Sequence, residues 1–344
     1  MSQLMKNTFV ADPKRSRFPH ARMYAGLWLV WLLAAAPLYA LPPHVLQRRA
    51  QMQSNAAARA AATSRSAPPS SAASAAQATA DDEAREIPSS QVEREVLRPS
   101  DIAMLDNPDF SWIHLQTTHF VIHCEKKIFA AKVARLGERF YTAISSDLPE
   151  LHDRLTPIHS HIFIFSDPRD WQTLITQNPE LTPQVASYVV GNAMYLQEYG
   201  DSTGEKMSLL AHEMTHLVMN RFLPIRLPLW LSEGLAEYYG EFAYRAAKGM
   251  GQSKSNAFRS MSVTFPLNML FSLSSYPADP LATDLFYRTS KYVTGYLRLR
   301  QPREKWYAFF DRLLQGDDAT EALLAVYEFS SIEDFEKEFL KFTK

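Results

Sequence analysis

Residues 202–238 read STGEKMSLLAHEMTHLVMNRFLPIRLPLWLSEGLAEY, and this stretch decides what kind of domain the chain builds. Ser202 followed three residues later by Glu205 is the pattern of a capping box, which predicts a helix start there. Such a helix carries His212 and His216 on one face, because four residues advance it by about 6 Å and about 400°, leaving the imidazoles about 40° apart. Two imidazoles so placed can grip one cation, and Glu213 stands at the edge of the same face. A turn over Asn220 to Pro228 brings the chain into a second helix, whose Glu233 can reach the same cation. Glu237 lies one turn further on, where it could hydrogen-bond the outer nitrogen of a ligating histidine, and Glu241 continues the stripe.

Zinc suits two imidazoles and a carboxylate, and this spacing leaves Glu213 beside the metal, free to take a proton from bound water. A di-iron carboxylate site needs a second E-x-x-H to match Glu213 and His216, and the chain has no second copy. HEMTH followed by WLSEGLAEY resembles the gluzincin metallopeptidases, in particular the peptidase MA-like group, related more distantly to zinc aminopeptidases and thermolysin-like enzymes. The resemblance runs from about Phe110 to the C-terminus and implies a zincin-like domain acting on a peptide or protein substrate. It implies that His212, His216 and Glu233 bind Zn2+, that Glu213 is the general base, and that the fourth position is left to water. An edge strand upstream of the zinc helix, which would bind extended substrate, corresponds loosely to Gly191–Met194. In YRTSKYVTGYL, Tyr287 to Leu297, the chain is similar to the helix that carries Tyr-x-x-Ser in this group. Tyr287 is thereby the expected oxyanion donor, Tyr292 and Tyr296 are also at hand, and core packing is the competing reading of all three. The interval from His216 to Glu233 is slightly shorter than in the larger relatives, which requires a tight turn, and no motif for capturing a substrate N-terminus is present.

Upstream of the motif, Trp112 to Cys124 alternates as a strand or hairpin, Ile128 to Ile144 has apolar residues at helical spacing, and HSHIFIFSD from His159 alternates again. A further strand is expected over Gln184 to Gln197, and the chain after Ser202 reads as mainly helical, closing in an amphipathic helix over Glu333 to Lys344. Strands first and helices afterwards predict an α+β domain with a strand-rich N-terminal part and a helical C-terminal part, rather than an alternating parallel sheet. His114, His119, His123, His159 and His161 read as ordinary strand histidines, with a second metal as the sharper alternative. Cys124, the single cysteine, reads as a small buried hydrophobe and excludes an internal disulfide.

The chain begins with Lys6, Lys14, Arg15, Arg17 and Arg22 against Asp12, and carries no formal charge from Met23 through Pro43. Residues 1–43 therefore read as an export signal, either cleaved or retained as an anchor; Leu38 and Pro37 near the possible cleavage points favour retention. The positive flank stays in the cytoplasm, so the rest is periplasmic or extracellular. Residues 44–105, rich in Ala, Ser and Arg, read as a flexible low-complexity linker, and residues 106–344 as the metallopeptidase domain. Thirty-six Lys and Arg against 37 Asp and Glu leave a net charge of −1, which gives no basic field for nucleic acid. Two functions follow as expectations: a membrane-tethered zinc peptidase, or a non-catalytic zinc-containing envelope protein that binds a protein or peptide partner.

Overall fold

The computed structural model describes residues 84–155, 157–178, 181, 185–198, 204–250 and 263–343. The expected export segment 1–43, Ser202 and the side chain of Glu205 lie outside them. Among the described residues no helix is long and apolar enough to cross a membrane.

The architecture is α+β: one sheet of six strands with eleven helices among the described residues. The strands are β1 (Arg85–Ile87), β2 (Ile113–Gln116), β3 (Phe120–Cys124), β4 (Ser160–Phe165), β5 (Ser187–Val190) and β6 (Ala193–Gln197), ordered β1-β2-β3-β4-β6-β5. The expected hairpin over 112–124 is β2–β3, paired antiparallel with Ile113 opposite Cys124. The centre differs from the sequence expectation, since β3–β4 and β4–β6 pair parallel. Parallel neighbours need crossovers, and α2 (Lys127–Asp147) with α3 (Pro149–His152) supplies the first, on one face. Helix α4 (Pro168–Thr176) lies in the second crossover, on the other face, capped by the Asp167 carboxylate accepting from Arg169 N. The single strand expected over 184–197 is two, β5 and β6, because Gly191 adopts φ +57° and, with Asn192, turns the chain back.

Both faces of the sheet are covered, which is why every residue of β4 is buried. Alternation divides the strands: Phe120, Ile122, Cys124, Ile162, Ile164, Met194 and Leu196 face the large helical core, while Phe163, Phe165, Ala193 and Tyr195 pack on the opposite side. Cys124 is buried, as expected of it.

The opposite side corrects the boundary drawn at residue 105. Strand β1, a short 3-10 turn and helix α1 (Pro99–Leu105) belong to the fold. Ile87 and Val92 pack with Val121, and Leu97 joins Phe110, Phe163 and Trp171. Asp101 accepts a 2.7 Å hydrogen bond from Tyr195 Oη, tying α1 to β6. Composition missed this segment because its three buried aliphatics recur every five residues, a spacing that neither a strand nor a helix face produces.

The helical half follows as α5 (Gly204–Phe222), α6 (Leu229–Ala247), α7 (Leu267–Ser272), α8 (Pro280–Leu299), α9 (Arg303–Leu314), α10 (Ala319–Tyr327) and α11 (Ile332–Phe342). Helix α5 lies against β4, β5 and β6, and α6 lies between α5 and α8. Glycines set these approaches: a Cβ on Gly240 would stand 3.0 Å from His212 Cα, and one on Gly234 would stand 2.5 Å from Ser290 O. Arg298 of α8 clamps Asp147 of α2 with contacts of 2.8 and 3.0 Å, and Tyr239 of α6 donates to the same carboxylate. A buried pair of this kind is costly unless its bonds are made, and here both oxygens are engaged.

Candidate metal centre

Helix α5 carries His212 and His216 one turn apart, with their Nε2 atoms 3.2 Å from each other. The turn over residues 223–228 reverses the chain, and Pro228 sits at the N-cap of α6, where a missing N–H costs nothing. Glu233, in the second turn of α6, comes back to the pair: its Oε2 lies 3.4 Å from His212 Nε2 and its Oε1 3.5 Å from His216 Nε2. The ligand atoms of His212, His216 and Glu233 all fall within 4.8 Å of one another, and among the described residues no other group of His, Cys, Asp and Glu converges in this way. His212 and Glu233 are each 1% exposed and His216 8%, so the triad is buried with one imidazole at its open side. Glu213 is buried beside it at 3% exposure.

The outer atoms of the imidazoles are also placed. His212 Nδ1 faces Glu237 Oε1 at 3.3 Å, and His216 Nδ1 faces Ser232 Oγ at 3.3 Å. A carboxylate accepts only, so a proton of His212 belongs on Nδ1; the Ser232 hydroxyl, which can donate or accept, is placed to take a hydrogen bond from His216 Nδ1 as well. Both Nε2 atoms then present lone pairs to one small space that Glu233 also faces. Three such groups gathered at one space are held together by a positive charge among them, a proton on an imidazole or a cation. The residues therefore fit a metal ion. Burial alone would raise the Glu233 pKa, but His216, His212 and the Tyr276 hydroxyl together hold it below the usual carboxylate range.

Tyr276 is the site residue that the sequence did not announce. It sits in the loop between α7 and α8 and donates from Oη to Glu233 Oε1 at 2.8 Å. Burial and the adjacent Glu233 raise its pKa well above the phenol value, which keeps it a donor. Tyr287, the expected oxyanion donor, stacks on Tyr276 with ring centroids 5.9 Å apart. Tyr292 and Tyr296 are packed elsewhere, against Phe342 of α11, and Tyr296 Oη accepts from Gln301. Glu241, the last of the acidic stripe on α6, pairs with Lys291 of α8. Burial would lower the lysine pKa, but Glu241 and Glu237 raise it.

The strand histidines do not form a second centre of this kind. His114 Nδ1 meets His123 Nδ1 at 2.9 Å, and His123 Nε2 meets His161 Nδ1 at 2.9 Å, so the contacts run in a line through opposite atoms of His123. His119 pairs with Glu138 and His159 with Glu93.

Comparison of the chain with the models of known protein families finds no match, and no curated protein matches it.

Proposed function

We propose that this chain is an exported zinc-dependent peptidase of gluzincin type, with a zincin-like domain tethered to the membrane by its N-terminal segment. The observation that carries the reading is the convergence of His212, His216 and Glu233 at a space beside which Glu213 is buried. Two imidazoles and a carboxylate are a ligand set of zinc hydrolases, and the HEMTH and SEG motifs occur in the order and spacing that supply them. Export is supported by the five basic residues followed by an uncharged run from Met23 through Pro43.

His212, His216 and Glu233 would hold the zinc. A bound Zn2+ supplies Lewis acidity, lowering the pKa of water toward about 7 and polarising a carbonyl. The residues do the rest. Glu213 accepts a proton from the attacking water and passes it to the leaving amine, a task that needs a carboxylate within hydrogen-bond reach of both. Glu237 fixes the tautomer of His212, Ser232 orients the His216 ring, and the close approach of α6 at Gly240 keeps Glu237 at the right depth. Burial of the triad excludes bulk water and strengthens each of these interactions.

The test is cleavage of a broad peptide library by the full chain in mild detergent, wild type against Glu213→Gln, with zinc content determined on both. The variant is expected to keep its zinc and to lose about 10²- to 10⁴-fold in cleavage. Equal cleavage by the two proteins would sink the mechanism. Zinc in both and cleavage by neither would replace it with the partner-binding reading, in which Glu213 has no chemical task.

A further inference from the structure

We propose that Tyr276 is a positioning residue for the metal centre: its hydroxyl occupies Glu233 Oε1 and so leaves Oε2 as the oxygen offered to the ion. The inference rests on the metal-binding part of the reading above and adds a residue that no motif in the chain contains.

A carboxylate facing two lone-pair nitrogens can offer either oxygen, or both, and it can rotate about its last bond. Each alternative loosens the site, because ligand geometry must be held to within about half an ångström to be effective. Each oxygen of Glu233 faces one histidine, and only one of them also takes a phenol. Its Oε1 accepts the 2.8 Å bond from Tyr276 Oη, and its Oε2, which is buried, makes no hydrogen bond among the described residues and lies 3.4 Å from His212 Nε2. The difference between the two oxygens is the sign of a carboxylate committed to one-oxygen ligation.

Tyr276 is itself held. The loop that bears it runs from Leu273 to Asp279 and is exposed at Ser274, Ser275, Ala278 and Asp279, yet the ring turns inward. There it stacks on Tyr287 and meets the edge of Phe286 at 6.0 Å, both from the second turn of α8. Thr283 anchors the end of the loop by donating to Pro277 O at 2.7 Å. The stacked Tyr287 ring completes a path of contacts from α8 through Tyr276 to the Glu233 carboxylate. Tyr287 thus supports Tyr276 through ring stacking.

The same helix supports the other side of the centre. One turn beyond Tyr287, Lys291 pairs with Glu241 and acts electrostatically on Glu237, the partner of His212. Helix α8 therefore backs two of the three candidate ligands, Glu233 through Tyr276 and His212 through Glu237.

The experiment measures zinc affinity of the full chain by competition with a chromophoric chelator, for wild type, Tyr276→Phe and Tyr287→Leu. The d–d spectrum of the cobalt-substituted proteins and the melting of the metal-free proteins are recorded in parallel. Tyr276→Phe is expected to weaken zinc about 10- to 100-fold. Its cobalt bands should lose intensity as Glu233 turns to two-oxygen ligation and raises the coordination number, while the metal-free melting temperature stays near wild type. Tyr287→Leu is expected to shift affinity in the same direction by less. Zinc affinity of Tyr276→Phe within twofold of wild type, with an unchanged cobalt spectrum, would overturn the proposal. Should Tyr276→Phe fail to fold, Tyr287→Leu decides: weakened zinc supports the path and parity overturns it. A wild type that binds zinc but cuts no peptide would remove the peptidase reading and leave this inference standing; a wild type that takes up no zinc would remove both.

Discussion

His161 is fully buried, and its Nε2 has no hydrogen-bond partner among the described residues. Burial lowers its pKa to about 4, against the pull of Glu93 and Asp101, and burial also lowers that of His123 well below the ordinary imidazole value, with His161 and His114 adding to the effect. His114 is lowered too, by burial and Arg94. A group whose folded pKa lies below its unfolded one binds more protons when unfolded, so its contribution is whole above about pH 6.5 and is lost as pH falls toward 4. The metal-free protein should therefore lose stability between those values with a slope that approaches about 1.4 kcal/mol per pH unit for each histidine titrated. Urea unfolding at a series of pH values should show a shallower slope for His161→Phe than for wild type; superimposable slopes would mean that the line of imidazoles is not the source. That these histidines sit on strands was legible in the sequence. Their continuity was not, because it depends on β3–β4 register, which places His123 opposite Phe163 and His161 opposite Val121. The triad shows the same division. His212, His216, Glu233 and Glu237 are fixed by helical spacing along a single stretch of sequence, whereas Tyr276 reaches Glu233 across 43 residues and carries no local signal.

At the scale of elements, the centre depends on how closely α5, α6 and α8 approach. Gly234 and Gly240 are not interchangeable in this. A Cβ on Gly240 meets His212 Cα at 3.0 Å, a contact that a shift of a few tenths of an ångström relieves. A Cβ on Gly234 meets Thr294 Oγ1 at 2.3 Å and the backbone oxygen of Ser290 at 2.5 Å, which no side-chain rotation can clear. Overpacking of this kind costs about 1–3 kcal/mol. Gly234→Ala is expected at the upper end or beyond it, and Gly240→Ala at the lower end, in equilibrium unfolding of the metal-free protein. The reverse order would show that α8 yields more easily than α5. The helices were readable because each carries its apolar face in one unbroken run. The sheet was less so: Gly191 splits one apparent strand into two, and it also makes β6 interior, between β4 and β5. The stretch Gly191–Met194 therefore cannot supply a free edge, and β5 (Ser187–Val190) is the edge on that side.

For the whole molecule, the second face of the sheet governs what may be cut away. A protein beginning at residue 84 keeps Ile87, Val92 and Leu97 over the strands and the bond from Tyr195 to Asp101. One beginning at residue 106 uncovers Val121 and part of the Phe163–Trp171 cluster and leaves the buried Tyr195 hydroxyl without its acceptor. The shorter form should melt lower and aggregate on heating, as size-exclusion chromatography and scanning calorimetry would show. Equal melting temperatures would restore the boundary that composition suggested.

The described chain joins this sheet at β1, one edge, while α5 lies across β4, β6 and β5 at the other. Four strand spacings of about 4.8 Å separate β1 from β6, so the point of attachment stands about 20 Å from the strands beneath the triad helix. A surface or tag joined directly at residue 84, in a protein shortened to begin there, thus meets the sheet on the flank away from α5, which leaves the His212–His216 side of the molecule clear of the attachment.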